Sequence, residues 1–221
     1  MEQSIKPSTD ENLLYYAIKY KTALIGALIV LLGFGGGTFF WMNQQKANEL
    51  EAALQLSRIA PLLDVGGYGT AINGKGHIAS LKKIAEQYSG KYTGTPSGNM
   101  AQLLLANAYY ANKEYDKALA VFKTVSMDNN DLAAAALAGA GDCLINKSKF
   151  AEAAESYQEA SKKAENNALK ANYLAQAANS LQQSRQLAKA SELYKKIIAD
   201  YPASTGAAIA QRSLWQISGN L

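Results

Sequence analysis

Three stretches of this chain lie on one another: AYYANKEYDKALAVFKTV (108–125), CLINKSKFAEAAESYQEA (143–160) and SLQQSRQLAKASELYKKI (180–197). Their matching positions are Tyr115/Ala118/Phe122/Val125, Phe150/Ala153/Tyr157/Ala160 and Leu187/Ala190/Tyr194/Ile197. Steps of 3, 4 and 3 keep all members of a set on one helical stripe. The alanines recur after 35 and 37 residues. Twelve residues before each alanine stands a small residue, Ala106, Gly141 or Ala178, where two helices must come close. Leu105, Ala140 and Ala177 precede those positions, and Tyr109, Leu144 and Leu181 follow them. Self-similarity at roughly 34 residues is the period of a helix–turn–helix solenoid, in which one pair of helices buries its apolar face only by stacking on the next. The region is rich in Ala, Leu, Lys, Glu and Gln, all strong helix formers, and has no alternating apolar runs. An all-α fold follows.

The pattern resembles the tetratricopeptide repeat, in which small-x-x-Tyr in helix A interlocks with Ala-x-x-x-Phe/Tyr-x-x-Ala in helix B. The resemblance covers 99–202, with an imperfect half-repeat at 77–88, giving about three repeats. Pro202 falls where the repeat stops its second helix, and a last helix from Gly206 to Ile217, carrying Ile209, Leu214 and Trp215, is expected to cap the stack. The sequence departs from the pattern where Gln102, Leu137 and Leu174 occupy the helix A tryptophan position. At this spacing the aromatics read as core rather than as a ligand box.

A second constraint comes from Thr22 to Met42, which reads TALIGALIVLLGFGGGTFFWM without a charge. At about 1.5 Å per residue such a helix reaches about 30 Å, the thickness of a bilayer's hydrocarbon core. Tyr15, Tyr16, Tyr20, Lys19 and Lys21 lie before it, and Trp41 and Lys46 at its far end, as interfaces favour. Polar residues come first and the apolar run exceeds that of a cleaved signal, so 22–42 reads as a retained single transmembrane anchor after a cytoplasmic tail at 1–21. Lys6, Lys19 and Lys21 against Lys46 and Arg58 favour a cytoplasmic N-terminus and place the bulk of the chain across the membrane. Gly26, Gly33 and Gly37 share a helix face, where small residues let another transmembrane helix approach.

Between anchor and repeats, residues 43–60 carry Leu50, Ala53, Leu54, Leu56 and Ile59 at helical spacing, with Pro61 expected to end that helix. PLLDVGGYGTAINGKG (61–76) reads as a long loop, so 43–76 forms a helical linker with a Gly-rich loop, ahead of a helical domain at 77–221. A helix is expected near Ile78, Leu81, Ile84, Ala85 and Tyr88, then a turn-rich connection at 89–98.

Placed by register, helix A residues lining the groove of such an array are Met100, Leu103, Asn107, Tyr110 and Ala111, then Ala135, Ala138, Asp142, Ile145 and Asn146, then Asn172, Ala175, Asn179, Gln182 and Gln183. Asn107, Asp142 and Asn179 recur at one register, and such a ladder can either hydrogen-bond an extended peptide or simply face solvent. The basic clamp some repeats use for a C-terminal carboxylate is missing, with Met100, Leu103, Ala135, Ala138 and Gly139 at its lysine and arginine positions. No motif points to a nucleophile, and GGYGTAINGKG lacks the order of a phosphate loop, so no enzyme is expected. One cysteine, Cys143, and one histidine, His77, cannot build a metal site without remote carboxylates, and no cofactor or metal is expected. Cys143 reads as a small buried hydrophobe. With 22 basic against 18 acidic residues, interleaved, nucleic-acid binding is not expected either.

The whole arrangement is similar to bacterial ancillary subunits of the Sec translocon, which are related to repeat domains that coordinate cell-envelope division. The GYGTAING, KIAEQY and SGNMAQLLLANAYY segments carry the likeness. It implies a bacterial inner-membrane protein with a periplasmic repeat domain whose partners are Sec translocon subunits, periplasmic chaperones and secreted clients. An envelope-assembly or cell-division scaffold, or a permanent accessory subunit of a membrane complex, are the alternatives.

Overall fold

The computed structural model describes residues 15, 16, 18–86 and 90–218, so the expectations placed on Lys6 and Tyr88 lie outside the described residues. Among these there are ten helices and no strand: α1 (Lys21–Asp64), α2 (Tyr68–Asn73), α3 (Leu81–Ile84), α4 (Pro96–Ala111), α5 (Tyr115–Phe122), α6 (Asn130–Asn146), α7 (Phe150–Lys163), α8 (Asn167–Gln183), α9 (Leu187–Asp200) and α10 (Thr205–Ser218). They divide into two units, 1–47 and 48–221.

The first unit is the apolar part of α1. Its best window has mean hydropathy 2.1 and none of it is buried, which makes it long and apolar enough to cross a membrane.

The second unit begins in the remainder of α1. Here the sequence reading needs correction. Pro61 does not end the helix; it lies on an exposed face, and the chain stays helical to Asp64 because Leu62 and Leu63 beyond it pack on the core. The core-facing stripe is buried Ala52 and Ile59 with partly buried Leu56, while Leu50 is 74% exposed and Leu54 51% exposed. The 61–76 stretch is not a plain loop either. Tyr68–Asn73 forms a short helix that buries Ala71 and Ile72, and Lys75 and Ile78 exchange backbone hydrogen bonds in an isolated antiparallel bridge. Gly74 makes that return possible: its φ is +77°, and a Cβ there would sit 2.8 Å from the Ile78 carbonyl oxygen. The helix expected near Ile78 is a single turn, Leu81–Ile84, capped by Ser80.

From α4 onward the repeat governs the fold. Each helix packs on its chain neighbours, and helices two apart also touch (α4 with α6, α6 with α8, α8 with α10), as a stacked array requires. Ala118, Ala153, Ala190 and Tyr194 are fully buried, and Phe122 and Tyr157 nearly so. The small helix A positions answer to those rings: a Cβ added at Gly141 would meet the Tyr157 ring at 2.9 Å. Local chemistry sets the ends. Thr95 caps α4 with Pro96 in its first turn, Asn129 caps α6 and Asn166 caps α8, each accepting backbone N–H groups. Every turn from helix A to helix B closes through a left-handed residue, Lys113 (φ 63°), Ser148 (φ 58°) or Arg185 (φ 63°). The next amide then reaches back five residues: Glu114 to Tyr109, Lys149 to Leu144, Gln186 to Leu181.

Candidate functional site

Helix A of the second and third repeats, α6 and α8, present their groove positions side by side because the turn between repeats is tied down. Asp131 Oδ1 in the first turn of α6 accepts the Glu165 and Asn166 amides at 2.7 and 3.2 Å, and Asn130 donates to Glu165 at 2.7 Å. With α8 so fixed, a cleft of about 370 Å³ opens between α6, α8 and the capping helix α10. Asp142, Ile145, Tyr157, Gln176, Asn179, Ser180, Gln182, Gln183, Ser213 and Gln216 line it.

Five residues placed by register therefore share one cleft: Asp142, Ile145, Asn179, Gln182 and Gln183. Two more are joined beside it. Asn146 Nδ2 donates to the Tyr110 hydroxyl at 3.1 Å and to the Asp142 carbonyl at 2.9 Å. The Tyr110 ring is held edge-on against Tyr115, centroids 5.5 Å apart. Asn107 is exposed on α4 and lies outside the cleft. The Cys143 side chain is fully buried, and burial first, then the Asp142 charge, pushes its thiol up to about 12, which makes it a poor nucleophile.

What sequence reasoning missed is the polar end of the helix B aromatics. Tyr157 donates its hydroxyl to Asp142 Oδ1 at 2.5 Å, and Tyr194 donates to Asn179 Oδ1 at 2.6 Å with Gln182 Oε1 at 3.0 Å. The sequence spacing marks both aromatics as core. In the first repeat the same position holds Phe122, which has no proton to give Asn107. The change from Phe122 to Tyr157 and Tyr194 at this position is the available signal. Sequence reasoning misses Ser213 and Gln216 as well, because it marks α10 only as a cap.

The electrostatics follow from this packing. Asp142 is half-buried, and desolvation holds its carboxyl above the usual carboxylate range despite the bond from Tyr157. Its charge adds to burial in raising Tyr157, Tyr110 and Tyr173 above the ordinary phenol range. Among the described residues no group of three or more His, Cys, Asp or Glu side chains is arranged to hold a metal ion.

The anchor glycines form a separate feature. A Cβ at Gly26, Gly33 or Gly37 would meet no atom within 4 Å. Gly33 and Gly37, with Val30, Phe34, Thr38 and Trp41, line a shallow apolar groove along α1.

A family model described as a tetratricopeptide repeat-like domain matches residues 16–140, more than half of the chain. No curated protein and no solved structure matches it. The family match runs from the apolar helix through the first repeat into α6, and the same helix pairing continues beyond it through α9.

Proposed function

The chain belongs to the tetratricopeptide repeat-like domain family, and from that premise we propose that it is a membrane-anchored adaptor whose α6–α8–α10 cleft holds an extended segment of a partner protein. Folds of this family are typically non-catalytic scaffolds for protein partners. The observation that carries the reading is the cleft lining: amides, hydroxyls and one carboxylate, with Asp142 and Asn179 at one repeat register, and such groups can serve the N–H and C=O groups of an extended backbone without dictating its sequence. A permanent subunit would instead cover a broad apolar face. The apolar part of α1 supports anchoring in a bilayer, and Lys19 and Lys21 before it support a cytoplasmic N-terminus. Together with the likeness to ancillary translocon subunits, this favours a bacterial inner-membrane protein with its repeats in the periplasm, serving translocon subunits, chaperones or secreted clients. Gly26, Gly33 and Gly37 would then offer the face on which another transmembrane helix packs.

In-cell photocrosslinking from a crosslinker at Tyr110 or Gln182, with products identified by mass spectrometry, tests the proposal. The adaptor reading expects translocon subunits, chaperones or many secreted chains. One stoichiometric partner from another complex would overturn it.

A further inference from the structure

We infer that the α6–α8–α10 cleft selects an extended peptide segment carrying a cationic side chain, which seats against the Asp142 carboxylate. The inference rests on the peptide-holding reading of this cleft and adds the chemistry of what it selects.

Asp142 is the one charged residue among those lining the cleft; its neighbours there are amides, hydroxyls and Ile145. None of the ion pairs among the described residues includes it. Among the described residues its one side-chain donor is the neutral Tyr157 hydroxyl, which occupies Oδ1. The carboxylate is thus withdrawn from water without a counter-charge, an arrangement that costs free energy until a cation arrives. Desolvation outweighs the tyrosine bond in setting its proton affinity, and Cys143 and the phenols of Tyr110, Tyr157 and Tyr173 all register its negative potential. The third repeat provides the internal contrast: Asn179 stands in the same register, bonded to Tyr194 in the same way, without the charge. The fold therefore does not need an acid at this position to satisfy its tyrosine. A lysine or arginine side chain entering the cleft would meet Asp142, while the Gln183 amide and the NH2 groups of Asn179 and Gln182, whose oxygens face Tyr194, serve the peptide backbone.

The test uses the full chain in nanodiscs of neutral phosphatidylcholine and three fluorescein-labelled nonapeptides of alternating Ser and Ala, identical except for a central Lys, Gln or Glu. Binding is read by fluorescence anisotropy for wild type and for Asp142→Asn, which keeps an acceptor for Tyr157; circular dichroism confirms that the variant is folded. The inference expects the Lys peptide to bind about tenfold tighter than the Gln peptide, as a partly desolvated charge pair allows, with Glu weakest. It also expects Asp142→Asn to bring the Lys and Gln peptides together. Equal binding of Lys and Gln peptides to wild type, or a Lys preference untouched by Asp142→Asn, would overturn the inference and leave the peptide-holding reading standing. No binding by any of the three would remove that reading, and the inference with it.

Discussion

Tyr157 donates its hydroxyl to Asp142, fifteen residues earlier in the chain, and so ties helix B of the second repeat to the groove face of its helix A. The contact links core to site: the ring fills the space left by Gly141, while the oxygen at its tip reaches the cleft. The same pair recurs as Tyr194 and Asn179 in the third repeat.

Replacing Asp142 by Asn therefore keeps the bond and removes a desolvated charge. The variant is expected to be more stable than wild type at neutral pH by about 1 kcal/mol, whereas Tyr157→Phe, which strips the carboxylate of its donor, loses a similar amount or more. The pH dependence has a definite sign. The folded-state value of Asp142 is raised above its ordinary 3.8, so the group's stabilising contribution is complete below that value and is lost as pH rises through the raised one. Thermal melts followed by helical ellipticity should show wild type and Asp142→Asn converging on acidification.

Gly141 lies where a Cβ would come 2.9 Å from two atoms of the Tyr157 ring. Gly141→Val is expected to cost about 1–3 kcal/mol by overpacking, because a ring held on two sides cannot yield. Chemical denaturation should record a lower midpoint at an unchanged slope.

The left-handed turn residues make a third prediction. Ser148 holds φ 58°, which costs a residue with a Cβ roughly 1–2 kcal/mol. Ser148→Gly is expected to stabilise by a few tenths of a kcal/mol once the added freedom of the unfolded chain is deducted, and Ser148→Val to destabilise by about 1–2 kcal/mol. Melting temperatures of the two variants should bracket that of wild type.

Cys143 is expected to resist a disulfide-exchange reagent at pH 8 in the folded protein and to react fully in denaturant. Its side chain is fully buried and its thiol is pushed up to about 12, so almost no thiolate is present or accessible. Reagent absorbance against time checks this.

How much of this was legible in the sequence differs along the chain. The repeat stripes were, because alanine and aromatic positions at 3- and 4-residue steps can meet only in stacked helices. The Ala52, Leu56 and Ile59 stripe was legible only in Leu56 and Ile59: Leu50, Ala53 and Leu54 form an equally apolar alternative face, and only tertiary packing chooses between them. Pro61 misled because proline usually ends a helix, yet here burial of Leu62 and Leu63 outweighs the missing hydrogen bond. The six-residue helix at Tyr68–Asn73 is too short for a periodic signal and is held by burial of Ala71 and Ile72. In the candidate site, the shared register of Asn107, Asp142 and Asn179 was readable. Which of them meets a tyrosine hydroxyl was not, since a tyrosine in a core stripe reads the same as a phenylalanine until its tip is located. Gln102 shows a similar limit: it occupies the tryptophan position of the repeat, is buried, and reaches the Ala85 carbonyl at 3.3 Å.

The central claim, that the polar cleft is the face which meets partner proteins, is tested most directly by comparing photocrosslinking yields in intact membranes from two exposed positions: Gln183 at the cleft, and Glu159 on α7 outside its lining. The account predicts partner adducts from Gln183 that fall when a central-Lys peptide is added in excess, and few from Glu159. Equal yields from both positions, or stronger adducts from Glu159, would contradict it.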